Sequence, residues 1–257
     1  MALSILLVLV ILLQLYQIQF VRRLRRRLSR LSKQLRRQDF FLFRQIEDLW
    51  ALYRETDLPS LPSMRRYSAS PDFLRIVMNE VRQRRPKVVL ELGSGISTAV
   101  IAQQLKQNQV GHLYSLEDDQ AYLRQTQAYL QRAHLAPWVS LIHAPLETWS
   151  LDGQIYHWYA ERQLPAIDID LIVMDGPALL ADRYCALPAL WSRLTSGAGI
   201  LLDDADRAPI RQILQRWQEQ HSHITLQWLT AEKGCCLIQW NQATNLSLPQ
   251  SSYVNAL

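Results

Sequence analysis

The sequence has few of the residues that build metal centres or disulfide frameworks. It contains three cysteines, Cys185, Cys235 and Cys236, with no C-x-x-C pair and no histidine at metal-ligand spacing. Its six histidines form no H-E-x-x-H or Ser/His/Asp arrangement. We therefore expect neither a zinc site nor a disulfide scaffold nor a hydrolase of those types, and we interpret the cysteines as reduced core thiols.

Acidic residues are missing from one segment of the chain. Residues 22–37 hold nine basic side chains and no acid, whereas the net charge of the whole chain is +5, so the remainder carries 5 − 9 = −4. A nucleic-acid-binding face would need lysine and arginine clustered on the folded part. The sequence therefore predicts no nucleic-acid partner.

Charge of either sign is absent from residues 2–21. An α-helix of about 20 residues rises about 30 Å, which matches the hydrocarbon core of a bilayer. The basic residues follow this segment, the reverse of a cleaved signal peptide, and by the positive-inside rule they leave the rest of the chain in the cytoplasm. The sequence predicts a transmembrane anchor over residues 1–21 in a single-pass protein of the inner membrane.

The basic segment belongs to a helical neck, defined here as residues 22–57. Four of its leucines recur at the four-three-four spacing of a short coiled coil: Leu24, Leu28, Leu31 and Leu35. Two interpretations are open, a homodimer through the neck or a single basic amphipathic helix on anionic lipid. Nine like charges oppose the dimer unless ions or lipid screen them. Residues 58–70 are interpreted as a linker.

Beyond the linker, a folded domain is predicted over residues 71–242, followed by a tail over 243–257. Five short apolar runs predict strands: 88–92, 112–117, 139–143, 170–175 and 199–203. Helical patterns lie between them or follow them: 97–106, 119–133, 179–194 and 208–221. This alternation implies a parallel sheet covered on both faces. The last two runs, 224–230 and 235–240, are too close for a crossover, so they predict an antiparallel hairpin.

A glycine turn follows the first of these strands. Its candidate ligand-binding residues are Glu91, Gly93, Ser94, Gly95 and Ser97. A dinucleotide-binding G-x-G-x-x-G run would need glycine where Thr98 stands, so NAD is disfavoured. The turn instead resembles the E/D-x-G-x-G-x-S motif of S-adenosylmethionine (SAM) dependent methyltransferases. That resemblance implies that the turn packs under the methionine part of SAM and that Glu91 supports its ammonium end.

The second predicted strand ends in Glu117 and Asp118. Glu117 lies 22 residues beyond Gly95. A carboxylate at that position can accept hydrogen bonds from both ribose hydroxyls of a nucleoside. The alternative is a solvated acid at a strand end. In the methyltransferases the end of the third strand lines the adenine, which here implies Ala144, Pro145 and Leu146.

Carboxylates also end the fourth and fifth predicted strands, in D-G-P at Asp175 and in D-D at Asp203 and Asp204. This set resembles the ligands of cation-dependent O-methyltransferases such as catechol O-methyltransferase. The resemblance implies that Asp175 and Asp203 are catalytic, that Asp175 also faces SAM, and that all three hold Mg²⁺ or another divalent cation. The alternative is that Asp204 or Asp206 forms ordinary ion pairs with Arg207 or Arg183, or caps the helix that begins near Arg207.

The resemblance to class I methyltransferases covers about residues 70–240. It implies a Rossmann-like, mostly parallel seven-stranded sheet that ends in an antiparallel hairpin, with methyl transfer to an oxygen, or less favourably a nitrogen, of a small-molecule or lipid-linked acceptor. Candidates for the acceptor site are Tyr67, Trp149, Tyr156, Trp158, Tyr159, Arg183, Tyr184 and Arg207; the aromatic residues between the third and fourth strands are equally compatible with the core of a small subdomain. Two further hypotheses are an aminopropyl transferase of the same fold and an inactive membrane-tethered scaffold.

Overall fold

The chain begins with a single long helix. The computed structural model describes residues 2–58, 61, 68–241 and 252–253, and helix α1 (Ala2–Glu55) spans 54 of them. Neither glycine nor proline occurs before residue 59, so nothing interrupts the helical hydrogen bonds. Within the described residues no helix is both long and apolar enough to cross a membrane. The transmembrane anchor predicted for residues 1–21 is therefore unsupported.

The structure has two compact units, residues 1–47 and 48–257. The second unit thus begins inside α1 rather than at residue 71, because the end of the helix packs on the domain. Leu52 is fully buried, and Arg75 Nη1 donates a hydrogen bond to Asp48 Oδ1 at 2.6 Å. The predicted linker falls mostly outside the described residues, as do residues 242–251 and 254–257 of the C-terminal end.

The domain alternates strands with helices, as its periodicity predicted. Its elements in chain order are α2 (Pro71–Arg84), β1 (Val88–Leu92), α3 (Ile96–Asn108), β2 (His112–Glu117), α4 (Gln120–Arg132), β3 (Val139–His143), β4 (Leu146–Leu151), β5 (Gln154–Tyr159), β6 (Ile169–Met174), α5 (Ala186–Leu190), β7 (Leu194–Asp203), α6 (Ala208–Gln220), β8 (Ile224–Leu229), β9 (Cys235–Trp240) and β10 (Ser252–Tyr253). The seven-stranded sheet has the order β3-β2-β1-β6-β7-β9-β8. Strand β9 runs antiparallel to both β7 and β8, and the other pairs are parallel, which confirms the predicted Rossmann-like sheet with its closing hairpin.

The strand order creates a crevice at one edge of the sheet. From β1 the chain moves outward through β2 and β3 and then returns to β6 on the other side of β1. The connections after β1 and β6 therefore diverge, and such a switch point is where open α/β sheets bind ligands. Two buried apolar clusters, one on each face of the sheet, hold these strand ends in place.

Two elements differ from the sequence prediction. The predicted helix 179–194 is broken into a 3-10 turn (Leu180–Cys185), the short α5 and a second 3-10 turn (Trp191–Arg193), because Pro188 lacks the N–H that a continuous helix needs. The segment between β3 and β6 forms a β4–β5 hairpin, which pairs with β10 in a separate three-stranded sheet. The four aromatic residues of that hairpin are all buried, and they belong to the apolar cluster on one face of the main sheet rather than to a separate core: Trp149, Tyr156, Trp158 and Tyr159.

Candidate active site

The glycine turn after β1 joins three strand ends at the crevice. Gly93 has φ +91°, a conformation that favours glycine, and a Cβ there would lie 3.1 Å from the backbone nitrogen of Gly176. Gly93 N donates to Leu116 O at 2.9 Å, and Gly176 N donates to Leu92 O at 2.6 Å. The ends of β1, β2 and β6 are therefore tied together by their backbones.

Glu91 lies fully buried beneath this turn. Its Oε2 accepts hydrogen bonds of 2.6 Å from both Thr98 Oγ1 and Ser115 Oγ, whereas its Oε1 makes no well-formed hydrogen bond within the described part of the chain. Burial raises the pKa of Glu91 to about 7, and the hydroxyls of Ser115, Ser97 and Thr98 offset part of that shift. The carboxyl is thus poised to change its charge near neutral pH.

Glu117, at the end of β2, is buried against the turn rather than solvated. Its Oε2 accepts hydrogen bonds from Ser94 N at 2.9 Å and Ser94 Oγ at 2.8 Å, and its Oε1 accepts one from Asp119 N at 3.0 Å. Burial raises its pKa, and these hydrogen bonds oppose the rise. The contacts fix the carboxylate at the edge of the crevice.

The neighbouring residues predicted to line a nucleoside lie along the same edge. Asp118 is exposed beside Glu117, and burial of part of its side chain raises its pKa. Ala144 N donates to Glu117 O at 2.8 Å, which brings the end of β3 next to β2. Exposed Pro145 and half-buried Leu146 follow it at the start of the hairpin.

The carboxylates of Asp175, Asp203 and Asp204 meet at the other side of the crevice. One oxygen of each lies within 4.8 Å of one oxygen of the other two. Asp203 is fully buried, and neither of its carboxylate oxygens makes a well-formed hydrogen bond among the residues that the structure describes. Burial, reinforced by the charge of Asp175, raises the pKa of Asp203 to about 7, while Lys233 acts in the opposite direction.

Two cationic side chains enter this acidic cluster. Arg183 is buried, and its guanidinium donates to the backbone oxygens of Pro177 at 3.1 Å and of Asp175. The same guanidinium lies 3.7 Å from the carboxylates of Asp175 and Asp204. Lys233 Nζ, from the turn between β8 and β9, lies 3.8 Å from Asp203 Oδ2. The ion pairs that the sequence left open as an alternative are therefore present.

The remaining contacts define the limits of the cluster. Asp204 also accepts a 2.6 Å hydrogen bond from Arg207 Nε, and its φ of +60° is a left-handed conformation uncommon for aspartate. Asp206 points away and pairs with Arg211 at 2.7 Å. The cluster is therefore bounded by Arg207, and Asp206 belongs to a separate ion pair.

The family comparison covers these strand ends. Residues 90–205 match the family described as a methyltransferase domain, and this range includes Glu91, Glu117, Asp175, Asp203 and Asp204. The chain carries a class I, SAM-dependent methyltransferase domain. No curated protein matches the sequence.

Solved structures share the fold of this methyltransferase domain. They include the SAH-bound methyltransferase PaMTH1 of Podospora anserina, with 17% identity over 77% of this chain and 96% of that one and a TM-score of 0.55. The O-methyltransferase of Bacillus cereus in complex with SAH has 17% identity, 77% and 90% coverage, and a TM-score of 0.53. TomG of Streptomyces achromogenes, an O-methyltransferase in complex with SAM, has 18% identity, 74% and 86% coverage, and a TM-score of 0.51. At these identities the likeness concerns the fold.

The sequence of the methyltransferase domain predicted the positions of its acidic residues better than those of its other polar groups. It predicted one crevice for Glu91, Glu117 and the three aspartates because each lies at or next to the C-terminal end of a predicted strand. It did not find the approach of Lys233 to Asp203 or the direction of Tyr159, since both depend on how a hairpin packs. Tyr67, one of the acceptor-site candidates, lies outside the described residues.

Proposed function

We propose that the domain binds SAM in the crevice between β1 and β6 and transfers its methyl group to an oxygen of a small-molecule or lipid-linked acceptor. The observation that carries this proposal is the arrangement of Glu91, Glu117 and Asp175 at three adjacent strand ends around a glycine turn. The crevice also has room, because a Cβ placed on Gly95 would meet no atom within 4 Å. SAM supplies a methyl group on a positively charged sulfur, and its transfer breaks the carbon–sulfur bond and leaves SAH.

Each acid at the turn has a role that its contacts support. The buried Glu91 keeps Oε1 without a well-formed hydrogen bond inside the described region, and this oxygen would accept from the ammonium group of SAM. Glu117, held by Ser94 and Asp119, would accept hydrogen bonds from the ribose hydroxyls. Asp118, Pro145 and Leu146 would line the adenine side.

Transfer to oxygen is favoured by the base that the site offers. The Asp175 side chain retains 19% exposure, so an acceptor hydroxyl can reach it. Burial raises the pKa of Asp175, with Arg183 and Lys233 acting against the rise, and a raised pKa makes this carboxylate a better proton acceptor than a solvated aspartate. In this proposal Asp175 takes the proton of the acceptor hydroxyl as the oxygen gains the methyl group.

A divalent cation would be held by Asp175, Asp203 and Asp204. Three carboxylate oxygens within 4.8 Å of one another fit a hard cation, and the two oxygens of Asp203 that lack well-formed hydrogen bonds in the described region support it. Such an ion would lower the pKa of the acceptor hydroxyl and orient it. Arg183 and Lys233 supply positive charge at the same place, so the ion would add to existing neutralisation.

The product of the reaction tests the proposed function. The full chain is incubated with methyl-labelled SAM, a panel of phenols including catechol, and a polar lipid extract, and products are identified by mass spectrometry. We expect a labelled O-methyl product and SAH. The rate of their formation should fall about 10²-fold or more in Asp175→Asn and stay unchanged in the control Asp206→Asn. A product that carries an aminopropyl group, or methylation at nitrogen alone, would contradict the proposal.

We also propose that the neck brings the domain to its partners. The nine basic residues of 22–37 would attract anionic lipid at the cytoplasmic face of the inner membrane, where a lipid-linked acceptor lies. Fractionation of cells that express the full chain tests this location: peripheral binding would be released by high salt, whereas an anchored protein would need detergent. Recovery of the chain in the soluble fraction at low salt would contradict membrane location, whether by peripheral binding or by an anchor.

The row of leucines Leu24, Leu28, Leu31 and Leu35 in the neck further supports a homodimer.

A further inference from the structure

Tyr159 is a buried tyrosine whose hydroxyl has no assigned role. It is the last residue of β5 and is only 2% exposed, and its hydroxyl makes no hydrogen bond with any residue that the structure describes. Buried tyrosine hydroxyls normally have a partner, because a buried hydroxyl without a hydrogen bond has lost its bonds to water and gained none in return. We therefore expect a bound ligand as the partner of this hydroxyl.

The hydroxyl of Tyr159 lies over the two glycines of the crevice. A Cβ placed on Gly176 would lie 2.3 Å from Tyr159 Oη, and Gly176 itself is in backbone contact with Gly93. Only a glycine at position 176 leaves room for this approach. The hydroxyl thus reaches from the small sheet to the point where the ends of β1 and β6 meet.

The charges around the hydroxyl determine its chemical form. Burial raises the pKa of Tyr159 well above its usual value, and the carboxylates of Asp118, Glu117 and Asp175 add to this effect while Arg183 opposes it. The phenol therefore stays protonated and can donate. It lies between the acid proposed for the ribose and the acid proposed for the acceptor.

The position of Tyr159 is fixed by its own hairpin. Tyr159 is paired with Leu146 across the β4–β5 hairpin, and Ala160 N donates to Pro145 O at 3.0 Å just beyond it. At the other end of the hairpin, the hydroxyl of Tyr184 donates to Asp152 Oδ2 at 2.9 Å. These contacts hold the hairpin that carries the ring, and none of them involves the Tyr159 hydroxyl.

We propose that the Tyr159 hydroxyl donates a hydrogen bond to the carboxylate at the methionine end of SAM; this inference rests on the proposed function. The crevice acids Glu91, Glu117 and Asp175 are acceptors when ionised and would repel that carboxylate. The guanidinium of Arg183 already donates to backbone oxygens. Tyr159 supplies a neutral donor at the junction of β1 and β6, beside Gly176.

Two probes separate this role from a general effect on the crevice. The full chain and its Tyr159→Phe variant are titrated calorimetrically with SAH and with 5′-methylthioadenosine, which has the same nucleoside and sulfur but no amino-acid end. We expect Tyr159→Phe to bind SAH about tenfold more weakly, as for the loss of one hydrogen bond to a charged group, and to bind methylthioadenosine unchanged. Tyr156→Phe, on the same strand with its hydroxyl near Arg216, should change neither affinity.

Other outcomes would overturn the inference. Unchanged or tighter SAH binding by Tyr159→Phe would show that the hydroxyl makes no bond to the ligand. Equal losses for both probes would show that Tyr159 shapes the nucleoside side of the crevice instead. Failure of the unaltered chain to bind either probe would overturn the proposed function as well. Because the removed oxygen has no hydrogen bond within the described residues, the variant should melt no lower than the unaltered chain.

Discussion

At the scale of single residues, the crevice contains two carboxyls that titrate near neutral pH. Glu91 and Asp203 are both fully buried, and burial raises the pKa of each to about 7. An exposed carboxyl would cost less free energy to ionise, so burying these two groups does not increase the stability of the fold. A ligand with positive charge would offset that cost, and SAM and a divalent cation are both of this kind.

The raised pKa of Glu91 predicts a pH dependence of SAM binding. Below about pH 7 the free carboxyl is largely protonated, and positive SAM favours its ionised form, so binding should release a proton and become tighter as pH rises from 6 to 8. Titrations in two buffers of different ionisation enthalpy measure the released proton. Glu91→Gln should bind more weakly at pH 8 and lose most of this dependence. If Glu91→Gln released the same number of protons on binding, the proton would come from a group other than Glu91.

The aspartate cluster makes a prediction about metal binding. We expect Mn²⁺, used as a probe for Mg²⁺, to bind the full chain and to raise its melting temperature, and we expect Asp203→Asn to abolish both effects because it removes one of the three carboxylate ligands. Asp206→Asn is the matched control, since Asp206 pairs with Arg211 outside the cluster. Absence of Mn²⁺ binding by the unaltered chain would mean that Arg183 and Lys233 alone neutralise the three acids.

Individual residues were predictable from the sequence when their position depended on one strand. Glu117 and Asp175 end strands of strong apolar character, so the position of their backbones followed from the strands alone. The Tyr159 side chain could not be placed in this way, because its direction depends on the pairing of β4 with β5. Lys233 was missed for the same reason: a turn between β8 and β9 carries it to Asp203.

At the scale of elements, local patterns predicted the seven strands of the main sheet, but not the broken segment between β6 and β7. That segment has apolar residues at helical spacing, yet it forms short turns around the acidic cluster. Pro188 cannot donate the backbone hydrogen bond of a continuous helix, and the buried Arg183 bonds to Pro177 O. The β4–β5 hairpin was also missed, since its alternating aromatic residues were compatible with a loop or a roof over a ligand. Tertiary packing decided both cases.

The neck makes a prediction about self-association. Four leucines of the neck are 46–57% exposed in the single chain: Leu24, Leu28, Leu31 and Leu35. If these are the a and d positions of a coiled coil, seven of the nine basic residues of 22–37 fall at the outward b, c and f positions, so repulsion across a dimer is limited. We expect light scattering to give the mass of a dimer for the full chain and of a monomer for Leu31→Asp. Ser29→Asp, at an outward position, should remain dimeric.

A monomeric mass for the unaltered chain would contradict the homodimer. The neck would then be a single amphipathic helix, and binding to anionic but not neutral vesicles would be the outcome expected for it.

At the scale of the whole molecule, charge and function are divided between the segments of the chain. The neck carries nine positive charges, the rest of the chain is net negative, and every group of the crevice belongs to the unit that begins at Asp48. Fold and cofactor class followed from motifs that local sequence encodes. The acceptor did not, because the proposed acceptor site would lie among the hairpin, the broken segment and the β8–β9 turn, whose packing no local pattern encodes.

The measurement that tests the account most directly is a calorimetric titration of the full chain with SAM. We expect saturable binding of SAM and SAH by the unaltered chain, and binding weakened tenfold or more by Glu117→Ala, since each charge-assisted hydrogen bond to ribose contributes about 1.5–3 kcal/mol. The exposed acid Glu219 supplies the control, and Glu219→Ala should bind as the unaltered chain does. No binding of SAM by the folded, unaltered chain would contradict the account, and equal affinity in Glu117→Ala would remove the ribose assignment.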